Sequence, residues 1–111
     1  MVEVEVAHDG DVTVCRPTGE LDAFTVPTLR EQLAALAGAP EVVIDLAGVP
    51  FMDSAGLGAL IGGIRKLREA DGKVVVVCAR PAVLRLLHTT GFDRMVPVVA
   101  TYPETRAAFD A

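Results

Sequence analysis

Few residues of this chain combine types and spacing that could do chemistry, and most of those that do lie in one stretch, Phe51-Met52-Asp53-Ser54-Ala55-Gly56-Leu57-Gly58. There a hydroxyl stands beside a carboxylate, with glycines after it. An apolar run before it, Val42-Val43-Ile44-Asp45-Leu46, reads as a buried strand, and the amphipathic run Leu57 to Ala70 after it reads as a helix. A strand-to-helix turn exposes backbone N–H groups at a helix start, where negative charge is favoured. A serine in that place is well situated to carry a phosphate. The same residues also suit a helix cap. On local sequence alone the capping role of Asp53 or Ser54 is favoured, because caps are common and functional serines rare.

Other chemistries find little support. A serine hydrolase needs a base beside its nucleophile, and only His8 and His88 could serve, one at the first hairpin turn and one near the end of the third helix. The pattern G-x-S-x-G is broken, since Met52 stands where its first glycine should be. No G-x-x-x-x-G-K-[ST] occurs, and Gly56-Leu57-Gly58 lacks the third glycine of a dinucleotide loop. Asp22, Asp45 and Asp53 could in principle ligate a metal through oxygen, but strand-end and capping roles fit them better. Cys15 and Cys78 form no CxxC or Cys/His cluster and read as reduced core thiols, so neither metal nor cofactor is expected.

The 111 residues suffice for one domain with one core. Hydrophobic residues at 51% and charged ones at 23% argue for a folded chain over a disordered one. A net charge of -5 disfavours direct contact with nucleic acid or an anionic membrane, while permitting a partner with a basic surface. No apolar run approaches the ~20 residues of a membrane span, and the alternating, acidic start Met1 to Val6 is not a signal peptide. Both point to the cytoplasm.

The elements that must position Ser54 follow from periodicity. Val2, Val4 and Val6 alternate with glutamates in a half-buried strand, and Asp9-Gly10 turns it into a second, whose far end Pro17 demotes. A helix starts near Thr25-Val26-Pro27, threonine capping, with Leu29, Leu33 and Leu36 as its stripe. Glu41 to Leu46 and Lys73 to Cys78 read as strands covered on both faces, the valine run Val74–Val77 being expected at the centre of the sheet. Leu57, Leu60, Ile61, Ile64 and Leu67 stripe the helix between them. Its glycines Gly56, Gly58, Gly62 and Gly63 either admit close packing or leave a bare face. Pro81 opens a third helix, Met95–Val99 reads as an edge strand, and Thr101-Tyr102-Pro103 caps a short last helix ending near Phe109. The order β-β-α-β-α-β-α-β-α predicts one α/β domain over residues 1–111, with about five strands, mostly parallel, and four helices.

From about Val2 to Phe109 the chain resembles the STAS domain, the sulphate-transporter and anti-sigma-factor-antagonist family, and most closely the free-standing bacterial anti-sigma factor antagonists. Three pieces carry the resemblance: Gly19-Glu20-Leu21-Asp22; Val43-Ile44-Asp45-Leu46 followed by Phe51 to Gly58; and Gly72-Lys73 to Val77 followed by a short helix and Gly91-Phe92. The second is the specific one. The resemblance implies a binding protein, not an enzyme. Its unphosphorylated form would bind an anti-sigma factor serine kinase and free a sigma factor, and phosphorylation at Ser54 would release the kinase. A metal-dependent serine phosphatase would reset the cycle. It also implies a partner face of Asp22, Asp53, Ser54, Ala55, Gly56 and Gly58. Many members have a second serine or threonine where this chain has Ala55, so one candidate hydroxyl remains in the turn. A STAS subunit that never cycles phosphate, in a signalling scaffold or a lipid-transport ABC complex, is the alternative.

Overall fold

The computed structural model describes residues 1–111. Five apolar segments pair as β1 (Glu3–Asp9), β2 (Val12–Thr18), β3 (Glu41–Asp45), β4 (Lys73–Val77) and β5 (Val98–Val99), in the spatial order β1-β2-β3-β4-β5. β1 and β2 are antiparallel around a turn at Gly10, whose backbone is left-handed (φ +61°), and every other pairing is parallel. The helices are α1 (Val26–Ala34), α2 (Ser54–Glu69), α3 (Pro81–Thr89), α4 (Phe92–Met95) and α5 (Thr105–Phe109), with a 3-10 turn at Tyr102–Glu104.

Alternation along the strands explains the layers. Val42, Ile44, Val74, Val76 and Cys15 point into a large core with Leu29 and Leu33 of α1, Leu60 and Ile64 of α2, Leu87 of α3 and Phe92 of α4. The opposite set, Val12, Val14, Val43, Val75 and Val77, packs under Phe109 of α5. Both faces of β3 and β4 are therefore covered, as their unbroken apolar runs require. Cys15 and Cys78 are free, buried thiols. Burial pushes Cys15 up to about 11 and raises Cys78 as well, so neither forms a reactive thiolate at neutral pH.

The structure departs from the sequence reading in several places. β4 lies inside the sheet and is paired on both sides, as its valine run predicts, while the exact middle of the five strands is β3. The expected strand Met95–Val99 shrinks to Val98–Val99 at the sheet edge, because Phe92 turns inward and forms an extra helical turn, α4, after the left-handed Gly91 (φ +76°). That turn makes five helices where four were expected. Pro17 does not end β2: pairing with β1 runs on to Thr18, whereas the ladder to β3 stops at Cys15. His8 lies in β1, its ring near the Thr13 hydroxyl, rather than in the turn. Thr101 and Glu104 form the reciprocal cap that opens the final helical segment.

Candidate functional site

Parallel pairing of β2, β3 and β4 brings the loops after these strands to one end of the sheet, the end where α/β folds commonly place their sites. The loop after β2 and the loop after β3 are joined through the main chain. The Leu21 N–H donates to the Phe51 carbonyl (3.0 Å), and the Asp53 N–H donates to the Leu21 carbonyl (3.1 Å). Gly19 N–H donates to the Gly48 carbonyl (3.0 Å). Leu21 and Met52 form a parallel bridge and are both buried. Asp22, next to Leu21, is thereby held on the loop joined to the Ser54 turn.

Asp22 is tied by its own turn. Its Oδ1 accepts from the N–H groups of Phe24 (2.9 Å) and Thr25 (3.1 Å). Thr25 occupies the position before α1, yet its hydroxyl does not cap that helix. It accepts from the Asp22 N–H and donates to the Glu20 carbonyl (2.8 Å), bracing the loop instead. The turn leaves Phe24 pointing outward, 93% exposed.

The helix α2 begins earlier than its apolar stripe suggested, at Ser54 instead of Leu57. Asp53 is its N-cap: extended backbone at that residue lets Oδ1 accept from the Gly56 N–H at 2.9 Å. Ser54 is thus the first helical residue, and its exposed hydroxyl makes no hydrogen bond within the chain. The N–H groups of Ser54 and Ala55 are likewise without a backbone acceptor, so the positive end of the helix faces solvent beside that hydroxyl.

The glycines of α2 divide between the two roles the sequence left open. Gly56 packs against Leu21 and Gly63 against the Leu33 side chain, so close that a methyl group would collide. Gly58 and Gly62 have open space where a side chain would go. With Ala55 and exposed Gly58, the outer face next to Ser54 is flat and carries little side chain.

The three carboxylates considered as metal ligands are separately engaged: Asp22 and Asp53 in their turns, and Asp45 with the Ala47 N–H and the Arg16 guanidinium. No group of three acidic, His or Cys side chains converges anywhere. His88 pairs with Asp93 at 2.9 Å, and neither histidine bonds to Ser54. Sequence reasoning missed the two exposed aromatics flanking the turn, Phe24 and Phe51 (49% exposed). A phenylalanine in a loop reads equally as a buried anchor, and no periodicity marks it as outward-facing.

Three comparisons place this arrangement. The STAS domain family matches residues 3–108. An anti-sigma-B factor antagonist of Staphylococcus epidermidis is 34% identical over 95 residues, covering 84% of this chain and 87% of that one. An anti-sigma F factor antagonist of Paenibacillus polymyxa is 30% identical over 100 residues, 87% of this chain and 86% of the relative. The crystal structure of an anti-sigma factor antagonist from Mycobacterium paratuberculosis superposes with a TM-score of 0.86 at 32% identity, over 100% of this chain and 96% of that one. Anti-sigma factor antagonists are regulators without enzymatic activity. With its five-stranded sheet, its Asp53-Ser54 turn and a match across nearly its whole length, this chain belongs to the STAS-domain family of anti-sigma factor antagonists.

Proposed function

We propose that the chain acts in the cytoplasm as a single STAS domain whose partner is an anti-sigma factor serine kinase, and that Ser54 is the residue the kinase modifies. The observation that carries this reading is the division of labour at the start of α2. Asp53 supplies the cap, and the Ser54 hydroxyl is left exposed and unbonded. A kinase could take that hydroxyl in line without first breaking an intramolecular bond.

Phosphate adds about -1.5 to -2 charges and three acceptor oxygens. At the first residue of a helix the fold tolerates it, since the dipole and two free N–H groups favour an anion. A partner surface fitted to Asp22, Asp53, neutral Ser54, Ala55 and Gly58 does not tolerate it, because the new charge adds repulsion and desolvation; Gly56, expected on that face, is buried against Leu21 and only supports it from beneath. The modification thus keeps the fold and breaks the contact, and a metal-dependent phosphatase would restore it. Ala55 offers no substitute hydroxyl.

The test is incubation of the chain and its Ser54→Ala variant with the anti-sigma kinase and ATP, read by intact mass. One phosphate on the wild type and none on the variant, with both unmodified forms binding the kinase, supports the reading. A phosphate on the variant places the acceptor elsewhere. Failure of the wild type to bind or accept phosphate favours a subunit that does not cycle.

A further inference from the structure

Next to the Ser54 turn, Phe51 and Met52 face α3 across a groove of about 340 Å3 that Ala82, Arg85, Leu86 and Thr89 close on the other side. Its volume is at the low end of the roughly 300–1,000 Å3 of ligand pockets, which suits one or two side chains better than a cofactor. The lining is apolar except for Thr89 and one charge. That charge, Arg85, is exposed and has neither an ion pair nor a hydrogen bond. Arg80, at the start of α3, donates only to the Ala47 carbonyl (2.7 Å), and α3 itself contains no carboxylate. On a chain of net charge -5 the apolar slot thus carries a single, unpaired positive charge.

We propose that the groove docks an acidic, apolar-anchored segment of a partner protein. An aliphatic or aromatic side chain enters between Phe51 and Leu86, and a neighbouring Asp or Glu pairs with Arg85. An unpaired guanidinium at the edge of an apolar surface selects a carboxylate, which it can grip through two parallel hydrogen bonds. A basic segment would meet repulsion there. The groove is continuous with the Ser54 turn through Met52 and Asp53, so an occupant is seated alongside that turn without touching its hydroxyl. This docking goes beyond the phosphoswitch, since it requires no modification of Ser54.

The experiment uses the 15N-labelled full chain and two synthetic peptides of equal length and leucine spacing, one with glutamate and one with lysine at every polar position. The glutamate peptide is expected to shift the amides of Phe51, Met52 and Ala82 to Thr89, and the lysine peptide to leave them unmoved. Arg85→Glu and Phe51→Ala, both surface changes, should each weaken the glutamate peptide about tenfold or more. Absence of shifts with the glutamate peptide, an equal response to both peptides, or shifts confined to another face would overturn the proposal. Concentration-dependent shifts at the groove without peptide would overturn it too, by assigning the groove to a second copy of the chain. Ser54→Ala should titrate like the wild type, so failure of the groove and failure of the phosphoswitch are separable.

Discussion

The carbonyl oxygen of Leu21 occupies the space into which any side chain on Gly56 would grow. This contact joins the loop after β2 to the first turn of α2, next to Ser54, and backbone atoms form its wall. Gly56→Ala is therefore expected to destabilise the chain by about 1–3 kcal/mol, the range for overpacking, despite the better helix propensity of alanine. Gly58→Ala, with open space around it, should instead gain up to about 1 kcal/mol. Urea denaturation of the pair checks this, and equal shifts in the two variants would refute the contact's importance.

The cap on α2 makes a second separation visible. Asp53→Ala removes the bond to the Gly56 N–H and should cost about 0.5–2 kcal/mol. Ser54→Ala removes a hydroxyl with no partner and should stay within about 0.5 kcal/mol of the wild type. Ser54→Asp puts an anion at the positive helix end and should leave the melting temperature within a few degrees while weakening the kinase. A Ser54→Ala loss as large as that of Asp53→Ala would make Ser54 the cap after all.

Phe24 contributes almost nothing to the core at 93% exposure. Phe24→Ala should leave Tm unchanged but weaken the anti-sigma partner about tenfold, because an aromatic already held out by the Asp22 turn buries its surface only on binding. A thermal melt of the free chain checks the Tm and calorimetric titration with the kinase checks the affinity; an unchanged affinity would remove Phe24 from the partner face.

At the other end of the sheet, Arg106 grips Glu41 through two bonds, of 2.7 Å and 3.1 Å. Chiefly through these hydrogen bonds, the guanidinium holds the Glu41 carboxyl below its ordinary value of 4.5. The folded state thus binds fewer protons than the unfolded one near that pH. The pair's stabilisation is complete above the unfolded value and is lost as pH falls through the lower folded value. Glu41→Gln should narrow its deficit against the wild type as the medium is acidified through this window. Parallel stability curves from neutral to acid would contradict the linkage.

Much of this was legible in the residues, and the parts that were not share a cause. Unbroken runs such as Val74–Val77 announce a strand covered on both sides, and the Asp53-Ser54 turn announces a helix start. Both depend only on local pattern. The middle place of β3 depends on how long each neighbouring ladder runs, which no single segment encodes. α4 arises because Phe92 finds a place in the core, and Thr25 braces a loop because Glu20 and Asp22 are folded back onto it. Likewise, Gly56 and Gly58 are alike in sequence and differ only in what tertiary packing sets against them.

The junction of the two loops at Leu21 and Met52 is made by peptide groups, and side chains add only the apolar filling beneath it. Exposed residues on either loop, Ala23 and Phe24 on one and Phe51 on the other, can consequently change identity without altering the geometry that presents them. Which partner the face accepts can then change through a handful of surface positions while the frame that presents them stays the same.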